Sequence, residues 1–152
     1  MAALAGFGFL TALLPVGGVV GGLVYGRRRW PGALGWRAVI LTGCSAVCWA
    51  LPALGYAPAA AAAALLLAGA CCDILMITTY QLVSVAVAAD SQAEAGAWLN
   101  TAYNLGAAMG TAAGGFLADR VGPHASFAAI ATLCVVSSVA VSVLSRRGRS
   151  EA

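Results

Sequence analysis

The chain has 152 residues, of which 62% are apolar and only 9% charged, and its formal net charge is +3. Soluble domains carry roughly 25% charged residues, so this composition excludes a soluble globular protein. The basic residues are all arginine, and they are too few and too separated for nucleic acid binding.

The charges are also segregated. Residues 1–26 carry none, 38–89 carry Asp73 alone, and 95–118 and 121–145 carry none apart from His124. About 20 apolar residues at a ~1.5 Å rise cross a ~30 Å hydrocarbon layer. Runs of this length without alternation exclude barrel strands and predict an all-α, polytopic transmembrane helix bundle with about five spans.

In chain order, the first span is predicted near 4–25 and ends at Gly26 and the run Arg27, Arg28, Arg29. It lacks the basic leader and short apolar core of a secretory signal. The second is predicted near 37–56 and stops at "GYAP". Pro58 can open the third, near 59–89, at a first-turn position where no backbone donor is lost. Ser91 and Glu94 have capping-box spacing for a fourth helix near 92–117. The fifth is predicted near 124–145, followed by a cytoplasmic tail, 146–152. Five cysteines, Cys44, Cys48, Cys71, Cys72 and Cys134, lie inside apolar runs, where they read as small packing residues.

Arginine sets the expected direction. Arg27, Arg28, Arg29 and Arg37 follow the first span, and Arg146, Arg147 and Arg149 follow the fifth. The opposite side has only Arg120. The excess predicts an N-terminus outside and a C-terminus in the cytoplasm, in the plasma (inner) membrane. Trp30, Trp36 and Trp98 fall near the expected interfaces, where amphipathic rings partition.

Small residues mark candidate packing faces. Gly17 and Gly21 in the first span, and Gly106, Gly110 and Gly114 in the fourth, recur at steps of four. In lipid such residues let backbones approach closely. They fit either static packing or two helices that slide. Polar side chains gather on two helices. Asp73 is the one acid in the middle of an apolar run. Tyr80 and Ser84 share its face, with Gln81 at the edge. Asn100, Tyr103, Asn104 and Thr111 lie within about 100° of one another on the fourth helix. An acid at mid-membrane costs roughly 2.5–3.5 kcal/mol on insertion scales and faces a bundle interior or a wet cavity. Asp73, Tyr80, Gln81, Ser84, Asn100 and Asn104 are therefore the expected substrate or ion path, with Asp73 as a protonatable or cation-binding group. A bond across to the third helix is the alternative role for Asn100 and Asn104, and the one their chemistry favours. Glu94 reads as a cap and His124 as a wetted helix start. No catalytic constellation is present, and no enzyme activity, cofactor or metal is expected.

The segment "AEAGAWLNTAYNLGAAMGTAAGGFLADRVGP" resembles the eleventh helix and following turn of major facilitator superfamily transporters, in the drug and sugar efflux branch. "GGLVYGRRRWPG" resembles the loop between their eighth and ninth helices, a degenerate copy of the signature G-x-L-x-D-R-x-G-R-R. Gly21, Leu23 and Arg29 fit it, and Tyr25 stands in the acidic slot. Gly115, Leu117, Asp119, Arg120 and Gly122 fit better, but the family's gating copy is cytoplasmic and this one is expected outside, so no gating role passes to Asp119. The resemblance covers the whole chain as helices eight to twelve, a partial major-facilitator half. It implies proton-coupled transport of a small organic solute or drug by alternating access, by a truncated C-terminal piece whose partners are the lipid bilayer, the small-molecule substrate, protons and the missing transporter half. The alternative is a small membrane scaffold or regulatory subunit that binds another membrane protein through its glycine-rich helix faces.

Overall fold

A computed structural model describes residues 2–28, 30–54 and 57–150. They form five α-helices, α1 (Ala2–Arg27), α2 (Leu34–Ala53), α3 (Pro58–Ala86), α4 (Gln92–Val121) and α5 (Pro123–Ser150), with one 3-10 turn at Ala89–Ser91. No strand occurs among the described residues.

The helix ends follow from backbone chemistry. Gly32 takes a φ of +97° in the turn after α1, and Gly122 takes +108° between α4 and α5. Side chains rarely adopt these angles, whereas glycine does so freely. Pro123 follows Gly122 at once and opens α5, where its missing N–H costs nothing. Pro58 opens α3 in the same way, as predicted. α1 runs through Pro15. Neighbouring helices and local adjustment make an interior proline tolerable in membrane helices.

Several boundaries differ from the sequence expectation. α2 begins at Leu34 rather than near 37, because the amides of Trp36 and Arg37 already bond to the Ala33 carbonyl at 3.1 and 3.2 Å. Its predicted end near 56 falls on residues 55 and 56, outside the described residues. α5 continues to Ser150, into the stretch expected as a tail. The capping box is absent. Ser91 sits in the αR region and caps nothing; its hydroxyl lies 3.4 Å from Asp90 Oδ1. Val87 and Ala88 are extended, and the chain enters α4 through the 3-10 turn, which carries Ser91 away from the N-cap geometry.

Three helical segments are long and apolar enough to cross a membrane: Leu34–Ala53, Ala59–Ala86 and Pro123–Val143. They point to a membrane protein. α1 carries no charge from Ala2 to Gly26, and α4 does not reach the hydropathy of those three segments.

α3 is the centre of the packing. α1 and α2 both lie against it, α2 also pairs with α5, and α4 touches α5 and, more lightly, α3. Most buried side chains are small: Ala38, Ala46, Ala64 and Ala68, with Thr42, Ser45, Cys48 and Thr78; Tyr25 and Leu65 are the large ones. Large aliphatic groups such as Val19, Leu23, Leu67 and Val136 point outward. This inversion suits a lipid solvent, in which helices associate by close approach rather than by expelling water. The α1–α3 contact is the clearest case. A Cβ on Gly17 would overlap the Leu66 backbone, one on Gly21 would meet Ala70 Cα at 2.7 Å, and one on Gly69 would overlap the Leu14 backbone.

Candidate functional site

Asp73 occupies the middle of the apolar run Ala59–Ala86. Its carboxylate is turned into the α1–α3 contact, where a Cβ on Gly18 would fall on it. A side chain at position 18 would make that carboxylate move. No described residue hydrogen-bonds it.

The other expected path residues spread over different surroundings. Gln81 reaches α1, where its Oε1 accepts from the Tyr25 hydroxyl at 3.3 Å. Tyr80 turns towards α4, with its ring 4.0 Å from where a Cβ of Gly96 would stand. Ser84 donates to the Gln81 carbonyl at 2.9 Å, and the Ser84 carbonyl accepts from Gln92 Nε2 at 3.0 Å. Asn100 and Asn104 are exposed on α4, and the Asn104 amide donates back to the Asn100 carbonyl at 2.8 Å. α3 meets α4 instead through Cys72, Met76 and Thr79 against Leu99 and Tyr103, around a cavity of about 300 Å³. The structure therefore does not bring Asn100 and Asn104 together with Asp73.

No protein-family model, characterised protein or solved structure matches the chain.

The two glycine sets differ sharply in their surroundings. Gly17 and Gly21 are filled by α3. Among the described residues nothing lies within 4 Å of the Cβ positions of Gly106, Gly110 and Gly114, and α4 has no buried residue. The Gly114 carbonyl does accept from Ser126 of α5 at 2.8 Å. Within this chain the expected packing face of α4 is open.

A polar centre missed by the sequence lies where α1 ends. Tyr25 is buried, and its hydroxyl also accepts from Arg37 Nη1 at 3.1 Å. Thr78, fully buried, lies 3.4 Å away and donates back to the Ile74 carbonyl at 2.8 Å. Arg37 Nη2 donates to the carbonyls of Trp30 and, at 2.9 Å, Gly32. Trp30 Nε1 donates to the Tyr25 carbonyl at 3.2 Å, and the two rings stack at 5.5 Å. Arg37 thus closes the α1–α2 turn over Tyr25. Of the expected loop cations, Arg27 and Arg28 are exposed, and Arg29 lies outside the described residues. The signal available in the sequence was Tyr25 itself, in the slot where an acid was expected, twelve residues before an arginine in the first turn of α2.

On the other face, His124 Nδ1 lies 3.1 Å from the Pro52 carbonyl, joining the start of α5 to the end of α2. Trp49 and Phe127 stack at 6.0 Å just beneath. His124 is a link between helices as well as a helix-start residue.

Proposed function

We propose that the chain works as part of a proton-coupled membrane transporter of the major facilitator type, moving a small organic solute or drug by alternating access. One observation carries this reading. A carboxylate sits midway along a long apolar helix, seated against a glycine in a contact between two helices. An acid so placed in a spanning helix is costly and marks paths where protons or cations move. The glycine faces of α1 and α3 give a contact along which small displacements are sterically possible. The orientation proposed is the one the arginines favour, with the α1–α2 turn in the cytoplasm.

The test uses native host cells, where whatever covers α4 is present. Efflux of a panel of fluorescent solutes is compared between the intact gene, its deletion and Asp73→Asn. Loss of protonophore-sensitive efflux of at least one solute on deletion, repeated by Asp73→Asn, is the expected result. Efflux that Asp73→Asn leaves unchanged removes proton coupling through this residue.

The open face of α4 favours a second reading, a scaffold or regulatory subunit that packs against another membrane protein. On that reading deletion lowers the abundance of the other protein and changes no solute flux of its own.

A further inference from the structure

The Tyr25–Arg37 centre borders a cavity of about 440 Å³ between the end of α1 and α3. Arg28, Trp30, Arg37 and Gln81 line it, and among the described residues no carboxylate does. Two guanidinium groups therefore face one space without a counter-charge. Their donors are only partly used. Arg37 Nε is buried with no partner. The Arg28 guanidinium lies over the Trp30 ring at 5.8 Å, a contact that holds its position and leaves its N–H groups free to donate. Gln81 accepts through Oε1 and keeps its amide N–H groups as donors. Such a set fits a phosphate group, which takes several charge-assisted hydrogen bonds at once.

A second, apolar groove of about 230 Å³ starts from the same residues. It shares Tyr25, Trp30 and Arg37 with the cavity and continues along Trp36, Ile40, Leu41 and Ile74. A free phosphate would fill the cavity and leave this groove empty. A phosphate carrying an acyl chain would fill both.

We propose that this paired cavity and groove bind one anionic phospholipid, its phosphate held by Arg28, Arg37 and Gln81 and an acyl chain lying against Trp36 and Ile40. The bound lipid ties the α1–α2 turn to α3 at the level of the headgroups. The site rests on the membrane reading of the chain and not on transport, so its failure leaves the transport test untouched, and the reverse.

The experiment uses the purified full chain in detergent. Binding of long-chain phosphatidylglycerol, long-chain phosphatidylcholine and inorganic phosphate is measured by native mass spectrometry and by the shift in thermal unfolding. Phosphatidylglycerol is expected to bind and stabilise, phosphatidylcholine to bind several-fold more weakly, and inorganic phosphate to displace neither. Arg28→Gln should weaken phosphatidylglycerol about fivefold, the worth of one arginine at an anionic surface. Arg28 is exposed, so this variant keeps the fold even where Arg37→Gln would open the turn. Ile40→Gln should weaken long-chain phosphatidylglycerol and leave a short-chain form unaffected. Equal binding of the two long-chain lipids, or an affinity for phosphatidylglycerol that Arg28→Gln leaves unchanged, overturns the site. Displacement of phosphatidylglycerol by inorganic phosphate assigns the cavity to a free anion and overturns the lipid.

Discussion

The Tyr25 hydroxyl donates to Gln81 Oε1 at 3.3 Å, joining the last turn of α1 to the C-terminal half of α3 across 56 positions of sequence. Gln81, one of the expected path residues, thereby has its Oε1 tied to α1. The same hydroxyl receives Arg37, so one phenol links α1, α3 and the start of α2.

Removing that hydroxyl should loosen all three elements together. Hydrogen bonds between membrane helices are worth about 0.6 kcal/mol on average and about 1.7 at most. Tyr25→Phe keeps the ring stacked on Trp30 and should cost about 1–2 kcal/mol, since it strands Arg37 Nη1 as well as Gln81. Gln81→Leu alone should cost less, because Arg37 still holds Tyr25. A double-mutant cycle on unfolding in mixed micelles reads the coupling; strictly additive losses would show that the link carries no energy.

The glycines give a paired test of packing. An added methyl at Gly17 meets the Leu66 backbone, which cannot swing aside as a side chain would. Gly17→Ala should push α1 from α3 and cost about 1–3 kcal/mol, the range for overpacking. Gly110→Ala meets nothing within 4 Å and should be neutral or stabilise the purified chain by about 0.5–1 kcal/mol through helix propensity. In host membranes the order should change. If another helix covers α4, Gly110→Ala will impair function there while leaving the purified chain intact.

These contrasts also show which features the sequence could reveal. α3 was legible because Pro58 marks its start and Asp73 is the only charged residue in its long run. Close packing at Gly17 and Gly21 was legible as a spacing, but the identical spacing at Gly106, Gly110 and Gly114 leads to an open face. Spacing states which side of a helix is small, and only a neighbour decides whether that side is filled. The Tyr25 centre was hidden because its partners Thr78 and Gln81 lie 53 and 56 positions away. Arg37 read as a loop cation, although its side chain folds back over the turn. Ser91 and Glu94 had the right spacing for a cap, but capping depends on the φ and ψ of Ser91, and the 3-10 turn before it sets those differently.

Topology is open to direct labelling. With the natural cysteines replaced, single cysteines at Ala57 and Arg120 should react with a membrane-impermeant maleimide from outside intact cells. Cysteines at Arg28 and Ser91 should react only after the cytoplasmic side is opened. This pattern requires α1 and α4 to cross the membrane beside α2, α3 and α5. Labelling of positions 57 and 91 from the same side would mean that α3 does not span.

Asp73 should trade stability against function. Its carboxylate stands midway along α3 against Gly18, and a charge in the middle of a spanning helix opposes insertion by some part of ~2.5–3.5 kcal/mol. Asparagine keeps the shape and fits the same space, so Asp73→Asn relieves the charge without a clash. The purified variant should resist unfolding slightly better than the parent. Proton-driven efflux in host cells should be lost, because an amide cannot take up and release the proton. A group that is retained at a cost in stability and whose removal abolishes activity is the pattern of a functional residue. The opposite pattern, with stability lowered and efflux intact, would make Asp73 a structural polar contact of the α1–α3 pair. Following thermal unfolding and efflux on the same variant separates the two outcomes.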